Sequence, residues 1–231
     1  MATTATDTPS SQRPGRRPQI GPPLLAPVLT FTAPTIGYVV VNRSTPHFDA
    51  SARTVLAYDH GHGSALRLGS TLLLASAIPL VLMAAVLYRR LRALGVSAPG
   101  PAIALVGGVS ASVMLTVCAM TSYASGRLAG DASPALAKAL ADLSFFSGGP
   151  AFAAMFAMLV FGVAATGLKA GLLPRVATVP GLVIAVAGVL AVLSPAVSGF
   201  SYLVPVVRFG GLVWLLAVAP MIPLTRRRTV S

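Results

Sequence analysis

Glutamate is absent from this 231-residue chain, and five aspartates supply all its negative side-chain charge. That absence removes every motif needing a glutamate base or ligand, the HExxH zinc site among them. A single cysteine, Cys118, excludes an intramolecular disulfide and any cysteine cluster for metal. Charged residues make up only 10% of the chain, against about a quarter in a soluble domain, too few to cover a water-facing surface. Neither a GxxxxGKS/T loop nor a GxGxxG turn occurs, so no nucleotide cofactor is signalled. No histidine falls within an apolar run, which leaves a buried serine or cysteine without a base. The composition therefore points away from an enzyme and away from any cofactor.

What the chain does have is apolar sequence. Hydrophobic residues reach 55%, the mean hydropathy is +0.81, and the apolar residues come in blocks near the length that crosses a bilayer. The expected fold is all-α, a polytopic membrane protein built as a bundle of six transmembrane helices. The spans fall at about 20–41, 68–88, 102–123, 145–168, 179–195 and 202–224, within a membrane domain covering 20–225. Residues 1–19 are rich in Ser, Thr, Pro and Arg, lack the apolar core of a signal peptide, and read as a disordered basic cytoplasmic tail. Residues 226–231 form a basic cytoplasmic C-terminus.

The net charge of +12 does not indicate nucleic acid. The basic residues sit in short groups between apolar blocks, with no interleaved aromatic surface for stacking bases. The expected partner is the lipid bilayer. Counted over the six-span scheme, Lys and Arg number three in the tail, three after the second span, two after the fourth and three at the C-terminus. The other face has five, Arg43, Arg53, Arg67, Arg127 and Lys138. The excess places both termini in the cytoplasm of a multi-pass cell-membrane protein.

Between the spans, 42–67 reads as a polar loop. Asp49 or Ser51 can cap a short helix through Tyr58 there, lying on the membrane surface. The segment SPALAKALADL reads as a helical turn in the next loop. Gly148, Gly149 and Pro150 indicate a kink or irregular start to span four, and Pro27 and Pro34 a bend in span one. On span three, Ala104, Gly108, Ser112 and Thr116 recur every four residues, a spacing that lets a second helix approach closely. Such faces suit packing inside the bundle or a homo-oligomer. PGPAIALVG at 99–107 echoes PGLVIAVAG at 180–188, five identities in nine. In a chain dominated by Ala, Val, Leu and Gly, chance explains such a match more readily than duplication.

Four features are candidates for function. Arg208 lies about 9 Å into span six at 1.5 Å per residue. A charge there costs at least about 2.5 kcal/mol and seeks a partner. Helical side chains tilt toward the N-terminus, so Asp142, just before span four, is the expected partner. The alternatives are lipid headgroups or carbonyls freed near Pro205 and Gly149. Asp59, His60 and His62, with His47 nearby, offer a weak metal set, against the blander reading of a polar turn broken by Gly61 and Gly63. Ser110, Ser112, Thr116 and Cys118 can line a polar path, though packing is their commoner use. Trp214, central in span six, is expected between helices.

The runs LADLSFFSGGPAFAAMFAMLVFGVAATGLKAGLLPRVATVPGLVIAVAG and VPVVRFGGLVWLLAVAPMIPLTRRR, with TPHFDASARTVLAYDHGHGSALRLGS and LYRRLRALG, resemble a family of six-span integral membrane proteins of high-GC bacteria that share a domain of unknown function. The resemblance covers most of the chain after the tail and implies topology, not activity. Two functional readings stand. One is a non-catalytic membrane protein of structural or regulatory role. The other is a small transporter or channel-like protein with an outer-facing polar pocket around Arg208. A cavity behind Arg208 holding Asp142 or span-three hydroxyls discriminates the second from the first.

Overall fold

The computed structural model describes residues 24–222. The tail at 1–19, the Pro22–Pro23 pair and the segment 226–231 lie outside these described residues. The fold is an all-helical membrane bundle. Five helical stretches are long and apolar enough to cross a membrane, and a sixth, α1 (Leu25–Val41), is shorter. The others are α2 (Ala52–Ala93), α3 (Gly100–Ser125), α4 (Pro134–Phe146) running into α5 (Phe152–Lys169), α6 (Arg175–Leu190), and a closing stretch containing α7 (Leu203–Pro205) and α8 (Gly211–Val218).

The bundle is organised around α5. Phe152, Phe156, Leu159, Val160 and Val163 are each at most 1% exposed, and they join Leu80, Met83, Leu87 and Leu115 in one core. Small residues set the distance to both flanking helices. A Cβ on Gly162 would come within 2.5 Å of the Ala104 amide nitrogen and the Gly100 carbonyl of α3. On the far side, a Cβ on Gly188 of α6 would lie 2.9 Å from the Ala153 carbonyl. The small-residue stripe of α3 is thus consumed within the bundle. Ala104 meets α5, Gly108 sits between Ala84 and Leu159, and Ser112 donates to the Ala77 carbonyl of α2 at 2.8 Å. Trp214 is buried, as expected, and donates to the Ala177 carbonyl of α6 at 2.6 Å. The outside is apolar: Ile78, Val183, Val186 and Val213 are each at least 60% exposed, a surface suited to lipid and not to water.

Two connections depart from the sequence expectation. Residues 42–67 are not a loop with a surface helix; only 42–51 is irregular, and α2 then runs 42 residues. At 1.5 Å per residue α2 is about 63 Å long, roughly twice the ~30 Å hydrocarbon core, so its first half projects beyond it. Ser51, not Asp49, is the cap, its Oγ accepting from the Thr54 amide at 3.2 Å. The Gly61–Gly63 segment bends the helix at His62 (φ −124°, ψ 21°) without ending it. Likewise SPALAKALADL is no separate turn. Capped by Ser133, α4 continues through one π-helical turn, Ser147–Ala151, into α5, giving a continuous 36-residue stretch. Hydropathy marks where a chain leaves lipid. It does not mark where a helix stops, because a helix satisfies its own main-chain groups in either medium.

The two projecting helices pack beside each other and the end of α3, roofed by the 42–51 segment. Lys138 Nζ donates to the Phe48 carbonyl at 2.6 Å, and the Phe48 ring stacks on Phe145 with centroids 4.8 Å apart. This makes a capped end. The opposite end has tight turns at 94–99 and 170–174, where Gly95 (φ 82°) and Gly171 (φ 63°) take the left-handed conformation that follows a helix. The PG pairs at 99–100 and 180–181 are not equivalent, since Pro99 precedes α3 while Pro180 lies inside α6.

Replacing Gly162 by Val is expected to destabilise the detergent-solubilised protein by about 1–3 kcal/mol through overpacking against α3, read as a lower thermal midpoint. The same change at Gly130, where an added Cβ meets nothing within 4 Å, is expected to leave the midpoint within error.

Candidate functional site

Proline creates the geometry at the capped end. Pro150 has no amide hydrogen, so the Phe146 carbonyl loses its usual helical donor. The chain widens there into the π-helical turn Ser147–Ala151. Directly after Pro205 comes a second one, Val206–Gly210, with Arg208 in its middle. The two turns face each other. Arg208 Nη2 donates to the Gly148 carbonyl at 2.7 Å. The guanidinium carbon lies 4.9 Å from the centre of the Phe152 ring and 6.0 Å from that of Tyr38, both within cation–π range. Single π turns inside α-helices are rare and occur often at functional sites.

The expected Arg208–Asp142 ion pair does not form. Asp142 Oδ1 accepts from Lys138 Nζ at 2.6 Å, one turn back on the same helix. It stands six residues, about 9 Å, above Gly148 along the helix axis. Local i,i+4 pairing satisfies the carboxylate, and the π turn offers Arg208 a nearer acceptor. The alternative partner read from sequence, a carbonyl freed near a proline, is the one used. Among the described residues no carboxylate lies within 4.0 Å of Arg208.

Behind Arg208 is a cavity of 280 Å³. Its walls come from the end of α1, the 42–51 segment, the first turns of α2, the end of α3, α4 with its π turn, and the start of the closing helix. Arg208, Asp142, Lys138 and Asp59 all line it, as do Tyr38, Phe48 and Phe145. Span three contributes Cys118 and Ser122; Ser144 Oγ stands 2.7 Å from Ser122 Oγ and 3.4 Å from Cys118 Sγ. A Cβ on Gly148 would collide with the Cys118 sulfur, so glycine there keeps the Arg208 carbonyl acceptor close to α3. Every lining residue belongs to the capped half. Below Arg208, Phe152 stacks on Phe156 at 5.3 Å and Phe156 meets Phe31 at 6.2 Å, an apolar floor that closes the cavity toward the other end.

Ser110, Ser112 and Thr116 do not join the cavity. Ser112 and Thr116 bond main-chain carbonyls instead, which is the packing reading. Nor do the histidines converge. His60 and His62, two apart on a helix, point to different sides: His60 Nε2 contacts the Ala129 carbonyl at 3.0 Å, and His62 stacks on Tyr58. His47 bonds Asp49 at 2.8 Å, holding that carboxyl below its usual range. No group of three or more metal-ligating side chains assembles among the described residues.

Asp59 is the residue that sequence reasoning placed in the wrong context. It is 5% exposed, and its Oδ2 has no hydrogen-bond partner among the described residues. Burial pushes its carboxyl up to about 6, with His60 pulling slightly the other way. It lies in the part of α2 before the apolar stretch, between the cavity just described and a second, polar one of 470 Å³ lined by His60, Ser64, Arg67 and Arg127. Read as loop, Asp59 carried no burial signal.

No family model matches the chain, and no curated protein or solved structure matches it either.

A double-mutant cycle tests the Arg208 geometry. Arg208→Ala is expected to lower stability by about 2–4 kcal/mol, losing a charged hydrogen bond and its ring contacts. Asp142→Ala, which removes an exposed i,i+4 pair, is expected to cost under about 0.5 kcal/mol. The losses should add to within about 0.5 kcal/mol in the double variant; strong coupling would restore the direct pair. The roof is testable through the lone cysteine. Phe48→Ala is expected to speed labelling of Cys118 by a small thiol reagent several-fold, whereas an unchanged rate would mean that Phe48 does not limit access.

Proposed function

We propose that this chain is a non-catalytic, multi-pass protein of the cell membrane that binds a small acidic solute in a cavity open to the outside, as a small transporter does. The observation that carries the reading is Arg208: its guanidinium lines a cavity and has no carboxylate within ion-pair distance among the described residues. Lys138 and Asp142 neutralise each other on the rim. The cavity thus offers an acid group one uncompensated cation, with aromatic faces for an apolar body. At 280 Å³ it sits near the lower bound of small-molecule sites, about 300 Å³. A purely structural Arg208 would need its acceptor carbonyl and no space behind it.

A catalytic role finds less support. Cys118, Ser122 and Ser144 contact one another and not a histidine or carboxylate, so no base activates a nucleophile. Orientation rests on the Lys and Arg excess, which assigns the tail and C-terminus to the cytoplasm and hence the capped end to the outside. Membership in the six-span family of high-GC bacteria is part of the same proposal and adds topology alone.

Benzoate, a ring bearing one carboxylate, is a suitable probe. It is expected to raise the thermal midpoint of the detergent-solubilised protein saturably, and Arg208→Gln to abolish the rise. No rise in the wild type, or an equal rise in both, would overturn the reading.

A further inference from the structure

We propose that Asp59 is a proton-binding site of this cavity, loaded together with the anion that Arg208 holds, so that solute and proton enter as a neutral pair. The inference rests on the cavity being an anion site and specifies how that site responds to pH.

Placement is the first argument. Asp59 is more than nine-tenths buried, lines the cavity that contains Arg208, and has a carboxylate oxygen without a partner among the described residues. A buried ionised carboxylate without a partner is costly, and a proton is the simplest way to remove that cost. Access is the second argument. Asp59 also lines the polar cavity on its other side, beyond which α2 and the end of α3 cross at Gly63 and Gly126. A proton can therefore reach Asp59 by that side while a solute occupies the first cavity.

The surrounding charges leave Asp59 without a fixed counterion. On its own helix, Arg67 donates to the Gly126 carbonyl at 3.2 Å, and His60 is held on the Ala129 carbonyl. At the end of α3, Arg127 lies over the Tyr123 ring. From α4, Lys138 is taken by Asp142 and the Phe48 carbonyl. His47, in the roof, is taken by Asp49. Tyr38 of α1 and Tyr58 on the adjoining turn complete the titratable groups of the wall, and Arg208 is its remaining cation.

The linkage follows from charge. With Asp59 ionised, its negative charge opposes an incoming carboxylate and offsets the attraction of Arg208. With Asp59 protonated, the cavity presents Arg208 alone. By reciprocity, an anion at Arg208 raises the proton affinity of Asp59. The balance is one proton taken up from solvent per carboxylate bound, with no covalent bond made in the solute.

Benzoate binding to the full-length, detergent-solubilised protein tests this, with proton uptake followed by a pH indicator in weak buffer. The wild type is expected to take up close to one proton per benzoate near neutral pH, and its affinity to fall up to about tenfold per pH unit above about pH 6. Asp59→Asn is expected to bind benzoate without proton uptake and with flat affinity between about pH 5.5 and about pH 7.5. Benzoate binding without proton uptake in the wild type, or with uptake retained in the variant, would overturn the proton site and leave the anion cavity standing. No benzoate binding would overturn both. A ligand-free readout stands beside these. Because a buried Asp59 binds its proton more tightly than an unfolded one, the wild type should lose stability relative to Asp59→Asn as pH rises from about 4 to about 6, then stay level. Parallel melting profiles for the two proteins would also overturn the inference.

Discussion

The contact between Arg208 and the Gly148 carbonyl holds together the part of this molecule that differs from a plain lipid-soluble bundle. In hydrocarbon every main-chain polar group must find a partner inside the protein. Two prolines at corresponding depths, Pro150 and Pro205, make that impossible with regular helix alone. Each is followed or enclosed by a π-helical turn, and the side chain of one turn takes a carbonyl of the other. Burying a guanidinium costs about 2.5–3.5 kcal/mol on insertion scales. A charged hydrogen bond returns about 1.5–3 kcal/mol and a desolvated cation–π contact up to about 2. The arrangement is close to balanced, so Arg208 can stay where it is without a carboxylate.

The cavity exists because the helices outlast the membrane. A bundle ending at the bilayer surface would have left Arg208 facing headgroups. Here α2 and α4 continue past the apolar stretch, and the 42–51 segment is tied across them by Lys138 and by Phe48 stacking on Phe145. Six elements then meet around one space. The small residues of α3 and α5 make the lower half too tight for any such space, since a methyl group on Gly162 already meets main chain. Density at one end and openness at the other are consequences of where glycine and alanine fall.

The membrane class, the spans within a few residues, the packing of Trp214 and the use of the α3 stripe were legible in the sequence, because block hydropathy and residue size act locally. The irregular start at Gly148–Pro150 was legible too, since proline removes a donor wherever it stands. What was hidden depends on tertiary context. Asp59 looked like a loop residue because Gly61, Gly63 and nearby polar groups lower hydropathy, though a helix needs no hydropathy to continue. Asp142 looked like the partner of Arg208 because both carry charge near one boundary. Nothing in the sequence reports that Lys138, one turn away, takes that carboxylate first. The ring floor of Phe31, Phe152 and Phe156 draws on two helices and has no linear trace.

Arg208 is more than its structural contact requires. Closing one carbonyl takes a single neutral donor, and the indole of Trp214 does that same task for Ala177 at 2.6 Å without any charge. A guanidinium brings five N–H donors, a permanent charge and a desolvation cost, yet one of its nitrogens suffices for Gly148. The charge faces a space that also holds a carboxyl kept from ionising easily by burial. Placing Asp59 against Arg208 would have neutralised both and closed the cavity. Keeping them unpaired, one against a carbonyl and rings and the other without a partner for Oδ2, is costly to stability and useful only to something that arrives. On physical grounds, that combination favours a binding cavity over a clamp.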